Sequence, residues 1–479
     1  MKRFVLSIDQ GTTGTRAVVY DENARVVGSA YSEFKQFFPK PGWVEHDPEE
    51  IWRVTRSVMK KAIKGRKISA IGITNQREST VLWDRVTGKA ARRAIVWQDR
   101  RTAKVCESLR KRGLEKTVRA KTGLVLDPYF SATKIRWMLD NDAALKKKAK
   151  EGRLAFGTID SWLLWKLTDG QVHATDLTNA SRTSLLNIKT GEWDPQLLKI
   201  FGVPKSLLPR VLSSGSEFGW TKDGIPIRAM LGDQQAALFG QACYGPGEAK
   251  NTYGTGCFLV VNAGESFVRP PKGILATLAC DSSGNKAFAL EGSVFVAGSA
   301  IQWLRDGLGV IAKASETERL ARSVPDTGGV VFVPALAGLG APFWNANARG
   351  QISGITRGTT RAHLIRATLE AVAHRNADIV DAMGRRLRAL KVDGGATANG
   401  FLMQFQADLL GVPVLVSEFA ESTAWGAAKL AGVGAGVWKN AAAADRKLKY
   451  RRFAPKMKRS VAKALRREWR NAVERLTRG

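Results

Sequence analysis

The apolar residues of this chain fall into short runs that end in polar clusters containing glycine. The first run, Phe4 to Ile8, leads into Asp9, Gly11, three threonines and Gly14. A short apolar run bounded by turn residues is typical of a buried β-strand. We therefore predict a buried strand followed by a tight loop whose backbone N–H groups can face an anion.

The side chains of this first loop suit the phosphate tail of a nucleotide. Asp9 stands at the predicted strand end, where a carboxylate can hold Mg²⁺ directly or through water. Thr12 and Thr13 offer hydroxyls, and Arg16 offers a permanent positive charge. The spacing matches neither a Walker A motif nor a GxGxxG fingerprint. A tight hairpin with ordinary polar turn residues is the alternative, and the loop alone leaves both interpretations open.

The pattern of an apolar run followed by a polar cluster recurs along the chain. Because ligands bind at the carboxyl ends of strands in open α/β sheets, we expect these clusters to contribute to binding sites. The clusters at Asn251 to Phe258 and Ala389 to Asn399 repeat the glycines and small hydroxyl residues of the first loop, which indicates an internal duplication. The recurring segments are Ile68 to Glu78, Ala94 to Arg101, Ile227 to Gln235, Asn251 to Phe258 and Ala389 to Asn399.

Two duplicated halves with facing phosphate loops predict a nucleotide in a cleft between two domains. We place the boundary near Gln241 to Gly247, giving domains 1–243 and 244–479. Helical periodicity predicts a helix beginning at Pro48 with Asp47 as its N-cap, and further helices over 160–167, 297–306, 363–384 and 400–410. The basic tail from Arg446 predicts an amphipathic helix docked on the body, with nucleic-acid or membrane contact as the alternative.

Two polar clusters carry candidate substrate chemistry. The neighbours Arg77 and Glu78 could clamp vicinal hydroxyls of a polyol, since the cation donates and the carboxylate accepts hydrogen bonds. A simple surface ion pair is the other interpretation. Asp233 stands between a predicted strand and a predicted helix, where it would act either as a helix N-cap or as a catalytic carboxylate.

Composition bounds the class of protein. The 479 residues suffice for two or more domains, and 44% hydrophobic with 25% charged residues is typical of a globular protein. The four cysteines and four histidines are scattered, so we expect a reduced, cytoplasmic protein without structural zinc and without a membrane span. The net charge of +32 attracts polyanions, but a general basic bias explains it without a dedicated nucleic-acid role.

Taken together, these motifs resemble those of the FGGY carbohydrate kinases, in particular the members that act on glycerol. The resemblance covers almost the entire chain. It implies an α/β fold of two ribonuclease H/actin-like ATPase domains, duplicated, with an interdomain cleft. The motifs that carry it are SIDQGTTGTRAVVYD, PKPGWVEHDPEEIW, GITNQREST, AIVWQDRRT, TGLVLDPYFSATK, GDQQAALFGQ, KNTYGTGCF, GLGAPFW and VDGGATANGFLMQF.

The resemblance also implies an activity, ATP-dependent phosphorylation of a terminal hydroxyl of glycerol with Mg²⁺, by a homo-oligomer that is a dimer or tetramer. Asp233 would be the general base, and Asp9 and Asp233 would lie on the metal side. The implied substrate-binding residues are Arg77, Glu78, Trp97, Tyr129, Asp233, Gln234 and Phe258. The implied nucleotide-binding residues are Thr12, Thr13, Gly14, Arg16, Thr255, Gly298, Gln302, Gly395 and Asn399.

The chain departs from the family pattern at several positions. Gly14 stands where the family usually has Ser, which removes one hydroxyl but leaves the backbone donors. The loop between Trp220 and Ile227 is shorter than the regulatory loop of bacterial relatives, and Trp425 replaces a smaller residue. A kinase of the same family for another polyol or sugar is the first alternative. A nonenzymatic polyanion-binding protein is the second.

Overall fold

The protein is built around two large mixed sheets. The structure, a computed structural model, describes residues 2–345, 347–419, 421–445 and 448–478. The six-stranded first sheet has the spatial order Gly219–Trp220, Pro226–Gly232, Ile68–Asn75, Phe4–Gln10, Gly14–Asp21, Val26–Glu33. The seven-stranded second sheet has the order Leu275–Cys280, Lys286–Val294, Cys257–Gly264, Ala249–Tyr253, Leu390–Asp393, Val414–Ser417, Tyr450–Phe453.

The two sheets repeat one topology. In the first, Phe4–Gln10 pairs antiparallel with Gly14–Asp21 and parallel with Ile68–Asn75. In the second, Ala249–Tyr253 pairs antiparallel with Cys257–Gly264 and parallel with Leu390–Asp393. Each sheet therefore has a central strand, a glycine-containing hairpin on one side and a crossover to a parallel strand on the other. The predicted duplicated α/β fold is confirmed.

Helices cover both sheets. The helix Pro48–Ile63 begins at the predicted residue, and the Asp47 side chain accepts a hydrogen bond from the Glu49 N–H as the predicted N-cap. The helices are Pro48–Ile63, Ala103–Lys111, Glu115–Thr122, Ser131–Asp140, Ala143–Lys150, Ile159–Leu167, Leu177–Ala180, Pro195–Phe201, Asp233–Gly240, Gly298–Asp306, Glu316–Arg322, Arg361–Met383, Gly400–Leu410, Ser422–Gly434, Ala441–Asp445 and Arg459–Arg478. Short 3₁₀ turns span Lys205–Leu207 and Gly395–Ala398.

Minor strands pair outside the two large sheets. One predicted run differs from expectation: Ala94 to Trp97 contributes only the two-residue strand Ala94–Ile95, which pairs with Glu45–His46. The run therefore does not join the first large sheet, and Trp97, which follows it, lines a cavity between the two halves. The minor strands are Gln36–Phe37, Glu45–His46, Val81–Asp84, Ala94–Ile95, Leu154–Gly157, Ala174–Asp176, Leu186–Asn187, Glu192–Trp193, Arg210–Leu212, Val331–Val333 and Gln351–Ser353.

The helix Ser422–Gly434 belongs to the second half of the chain but packs against the first sheet. It crosses the helix Asp233–Gly240 so closely that a Cβ atom at Gly426 would lie 1.9 Å from the Ala236 carbonyl oxygen. Trp425 is fully buried there, with ring centroids 5.2 Å from Tyr20 and 5.3 Å from Trp438. The unusual tryptophan therefore packs the junction of the halves, and the boundary near 241–247 stays a prediction.

The C-terminal helix Arg459–Arg478 packs on the second half, as the apolar spacing of the tail predicts. Trp469 is buried and stacks on His374 with ring centroids 5.0 Å apart. Val461, although part of the predicted apolar face, is 47% exposed. The tail residues Arg446, Lys447 and Gly479 lie outside the described residues. In the described part of the chain, no helix is both long and apolar enough to cross a membrane.

Candidate active site

A cavity of about 820 Å³ lies between the two halves. It contains all seven side chains predicted for the acceptor and three of those predicted for the nucleotide. Its lining includes residues from the first loop, from the ends of first-sheet strands and from the hairpin of the second sheet. These predicted residues are Thr12, Thr13, Arg77, Glu78, Trp97, Tyr129, Asp233, Gln234, Thr255 and Phe258.

Asp233 is one of the carboxylates that line this cavity. It is the first residue of the helix Asp233–Gly240, and the N-cap position belongs to Gly232, so the capping interpretation is wrong. The Asp233 Oδ1 atom accepts a hydrogen bond of 2.7 Å from the Gln234 N–H and lies 3.1 Å from Arg77 Nε. About a third of the side chain, 32%, stays exposed to the cavity.

Three aromatic side chains form one wall. The Trp97 ring lies edge-on to Tyr129 and Phe258, with centroid distances of 5.6 Å and 6.4 Å. The Trp97 Nε1–H donates a 3.0 Å hydrogen bond to Thr12 Oγ1. That bond fixes the ring beside the first loop, so the aromatic wall and the candidate phosphate loop are joined directly.

The Arg77 and Glu78 side chains pair with other residues and not with each other. The interpretation of these neighbours as a simple surface ion pair is therefore wrong. Both are buried, and each is held by a residue that the sequence analysis missed. Arg77 forms a bidentate pair with Glu291, with Nη1 to Oε2 at 2.6 Å and Nη2 to Oε1 at 3.1 Å. Arg182 donates from Nε to Glu78 Oε1 at 2.6 Å and from Nη2 to Glu291 Oε1 at 3.1 Å.

The charges of this network perturb one another. Burial alone would raise the pKa of Glu291, but the guanidinium groups of Arg182 and Arg77 lower it to about 2. Burial raises the pKa of Glu78, although Arg182 and Arg77 oppose that shift. Glu291 and Arg182, which do not line the cavity, therefore hold the cavity-lining Arg77 and Glu78 at fixed positions.

Two buried lysines also hold the site and were missed from the sequence. Lys134 donates from Nζ to the carbonyl oxygens of Tyr129 at 2.7 Å and Glu78 at 3.2 Å. This bond supports Glu78 in its left-handed backbone conformation, with φ of 59°. Lys250 donates from Nζ to Gln234 Oε1 and to Thr252 Oγ1. Burial lowers the pKa of Lys134 to about 7 and that of Lys250 to about 8.

The predicted nucleotide residues come from both halves of the chain, and only Thr12, Thr13 and Thr255 line the cavity. The exposed Thr255 loop is tied to the helix Gly298–Asp306 because the Gly298 N–H donates to the Gly254 carbonyl at 3.0 Å. Gln302 and Gly395 are exposed, and open space surrounds the position of a Cβ atom at Gly395. Asn399 caps the helix Gly400–Leu410 through Leu402 N–H at 2.9 Å. Four predicted nucleotide residues of the second half do not line the cavity itself: Gly298, Gln302, Gly395 and Asn399.

Gly14 and Arg16, both predicted to bind phosphate, make close contacts with other parts of the protein. Arg16 forms an ion pair with Glu421 at the start of the helix Ser422–Gly434. A Cβ atom at Gly14 would lie 2.7 Å from the Ser32 carbonyl oxygen and 2.6 Å from Tyr31 Oη. The glycine at this position therefore suits the close approach of the neighbouring strand.

Asp9 is the candidate metal-side carboxylate. It is partly exposed, and burial together with the facing Asp233 carboxylate raises its pKa to about 7. A carboxylate whose pKa is raised by a second carboxylate favours a cation beside it. The described residues contain no group of three or more His, Cys, Asp or Glu side chains that could hold a metal. A pair of carboxylates fits Mg²⁺, which keeps waters and takes remaining ligands from substrate phosphates.

Comparison with known proteins places this architecture in a family. The model of the FGGY family of carbohydrate kinases matches with its N-terminal domain over residues 4–240 and its C-terminal domain over 249–435. This chain belongs to the FGGY family. The predicted family and fold are thereby confirmed.

Full-length relatives lie within the same family. The chain is 52% identical to glycerol kinase 2 of Thermotoga maritima and 53% identical to glycerol kinase of Carboxydothermus hydrogenoformans, covering 99% of this chain and 98% of each relative. The crystal structure of Plasmodium falciparum glycerol kinase with ADP is 39% identical, has a TM-score of 0.94 and is covered over 98% of its length. Gluconate kinase of Lactobacillus acidophilus, 22% identical with a TM-score of 0.89, shares the FGGY fold.

Proposed function

We propose that this protein transfers the γ-phosphoryl group of ATP to a terminal hydroxyl of glycerol, giving sn-glycerol 3-phosphate. The full-length glycerol kinases at 52% and 53% identity support this activity, and the ADP-bound Plasmodium structure supports the use of a nucleotide. The single observation that carries it on this chain is the meeting of Asp233, Arg77 and Glu78 with an aromatic wall in one cavity.

The acceptor site divides into a polar and an apolar side. Arg77 donates hydrogen bonds and Glu78 accepts them, so the two side chains together suit vicinal hydroxyls. Trp97, Tyr129 and Phe258 pack against the carbon chain of a small polyol and exclude water from the reacting hydroxyl. Gln234, held by Lys250, completes the polar side.

Asp233 is the general base in this mechanism. Its Oδ1 atom is held by the Gln234 N–H and faces Arg77, and part of the carboxylate stays open to the cavity. A base so placed accepts the proton of the acceptor hydroxyl as the oxygen attacks phosphorus. The Arg77 guanidinium keeps the carboxylate oriented, so the proton passes to a fixed position.

In this proposal the phosphates of the nucleotide bind in the same cavity as the base, between the first loop and the Thr255 loop. Thr12, Thr13 and the glycine turn on one side and Thr255 on the other offer hydroxyls and N–H groups to phosphate oxygens. Gly298, Gln302, Gly395 and Asn399 line the outer part of the second half and suit the rest of the nucleotide. Arg16 and Gly14 contribute to the loop itself.

ATP and Mg²⁺ are the cofactors of this activity, and Asp9 and Asp233 are the residues that would hold the metal. When bound, Mg²⁺ neutralises developing negative charge on the transferring phosphoryl group. Burial and the Asp233 carboxylate disfavour the charged form of Asp9 and raise its pKa, although the Arg16 guanidinium opposes that shift, and a bound cation would stabilise the charged form. The homo-oligomeric state and cytoplasmic location stay predictions.

An acceptor panel tests this function. Purified full-length protein is incubated with Mg-ATP and glycerol, other small polyols, pentuloses or no acceptor, and ADP formation is followed. We expect turnover that depends on glycerol, with phosphate on a terminal carbon in the ³¹P NMR spectrum of the product. Turnover with only another acceptor would mean that the protein is a kinase of the same family for a different substrate. Absence of turnover with every acceptor would contradict the proposed function.

A further inference from the structure

We propose that Glu291 is a positioning residue for this reaction, which acts through Arg77 and Arg182 without touching the acceptor. The inference rests on the proposed function, since it concerns how the acceptor pocket of that function is held. Glu291 lies in the strand Lys286–Val294 of the second sheet and is fully buried. It is not among the residues that line the cavity.

Each carboxylate oxygen of Glu291 holds a guanidinium group from the other half of the chain. Oε2 accepts from Arg77 Nη1 at 2.6 Å. Oε1 accepts from Arg77 Nη2 and from Arg182 Nη2, both at 3.1 Å. Bidentate carboxylate–guanidinium pairs of this kind fix orientation as well as position. The second sheet therefore sets the orientation of two arginines that belong to the first half.

The opposite edge of each arginine meets a side chain of the acceptor pocket. Arg77 Nε lies 3.1 Å from Asp233 Oδ1, the proposed base. Arg182 Nε lies 2.6 Å from Glu78 Oε1, and its guanidinium carbon lies 5.5 Å from the centroid of the Tyr129 ring. Through Arg77, Glu291 thus positions the proposed base Asp233. Through Arg182 it positions Glu78 and the ring of Tyr129.

Removing the charge of Glu291 leaves two buried guanidinium groups that share no counterion. A guanidinium cannot lose its proton in a protein, so the two like charges must move apart. Asp233 and Glu78 are the carboxylates already in contact with them, and tighter pairing there withdraws both from the acceptor. Displacements of about 1 Å in a reactive site cost about 10²-fold in rate. We therefore expect glycerol turnover, rather than folding alone, to depend on Glu291.

A second carboxylate in the same chain provides a matched control. Asp378 is buried in the helix Arg361–Met383 and also bridges two arginines, Arg375 at 2.9 Å and Arg466 at 2.7 Å. None of these three residues lines the cavity. Asp378→Asn therefore removes a comparable buried bridge without altering the acceptor pocket.

The test compares full-length wild type, Glu291→Gln, Glu291→Asp and Asp378→Asn in melting temperature and in steady-state kinetics for glycerol and ATP. We expect kcat/KM for glycerol to fall about 10²-fold in Glu291→Gln. The KM for ATP should change little, because the hydrogen bonds described for Glu291, Arg77 and Arg182 do not involve Thr12, Thr13 or Thr255. Glu291→Asp keeps the charge one methylene further back and should recover part of the loss. Asp378→Asn should lose stability and keep the kinetics.

The result that would overturn the proposal is a folded Glu291→Gln enzyme with wild-type glycerol kinetics, or an equal loss in Asp378→Asn. If Glu291→Gln does not fold, Glu291→Asp decides: a raised glycerol KM with unchanged ATP KM supports the proposal, and wild-type values contradict it. Failure of the proposed function is distinct, since wild type itself would then show no turnover with glycerol.

Discussion

Two buried clusters of the same composition lie in different parts of this molecule. In one, Glu291 bridges Arg77 and Arg182; in the other, Asp378 bridges Arg375 and Arg466. The free edges of the first pair of arginines reach Asp233 and Glu78 in the cavity. In the second cluster the Trp469 Nε1–H also donates to Asp378, at 3.0 Å, tying the C-terminal helix to the body.

Because both clusters are buried and charged, burial and charge alone do not identify a functional cluster. A buried ion pair is weak evidence for stability, because desolvation offsets much of the attraction, and one built only for stability could be replaced by apolar groups. What separates the Glu291 cluster is that its outer contacts are cavity-lining side chains. The Asp378 cluster instead joins two helices.

The largest contrast is expected between Arg77→Met and Arg466→Met. Arg77 contacts the proposed base and lines the cavity, and loss of one donor aimed at a reacting group costs about 10²–10³-fold in kcat. Arg466 contacts Asp378, Asp381 and His374, which all lie in the helix Arg361–Met383, and it does not line the cavity. Its loss should lower the melting temperature and leave kcat for glycerol unchanged. Comparable kinetic losses in both variants would erase the distinction between the clusters.

A smaller, more specific effect is expected from Arg182→Met. This change removes the link between Glu291 and Glu78, so the KM for glycerol should rise about tenfold, the scale of one interaction of about 1.4 kcal/mol. Because both residues act through one network, the double variant with Glu291→Gln should lose less than the product of the single effects. Strictly multiplicative losses in kcat/KM would mean that the two residues act independently.

The smallest effect is a dependence of stability on acid pH. Burial opposes ionisation of Glu291, but Arg182 and Arg77 lower its pKa to about 2, below its ordinary value of 4.5. A carboxylate with a lowered pKa contributes stability that is full above pH 4.5 and lost as the pH falls toward 2. The difference in melting temperature between wild type and Glu291→Gln should be constant from pH 7 to 5 and shrink below pH 4.5. A difference that stays constant down to pH 3 would contradict the lowered pKa.

Much of the fold and of the cavity lining could be predicted from local patterns. Strand ends followed by glycines, the Asp47 cap and the apolar spacing of the tail are short-range features, and each produced the expected element. Arg77, Glu78 and Asp233 stand out in local polar clusters, the other four acceptor side chains are implied by the resemblance to FGGY kinases, and all seven line one cavity. Gly14 is explained only by Tyr31 and Ser32 on the neighbouring strand, which the sequence does not place beside it.

The supporting residues could not be predicted because their contacts join distant parts of the chain. Glu291 and Arg77 lie 214 positions apart, and Glu291 with Arg182 lies 109 apart. Glu291 does leave one signal, a lone acidic residue in the apolar run Ala287 to Val294. Lys134 and Lys250 leave less, since a lysine in an otherwise ordinary helix or strand is usually solvated. Their burial becomes visible only once distant segments are packed together, Glu78 against Lys134 and Gln234 against Lys250.

We propose that Asp233 takes the proton of the glycerol hydroxyl in this cavity, and a single-turnover measurement tests this role. Enzyme in excess over Mg-ATP is mixed with saturating glycerol and quenched on the millisecond scale, for wild type and Asp233→Asn, with glycerol binding measured separately. We expect the rate of phosphoryl transfer to fall about 10²–10⁴-fold in the variant while glycerol still binds. A transfer rate close to wild type in a folded Asp233→Asn enzyme would contradict it.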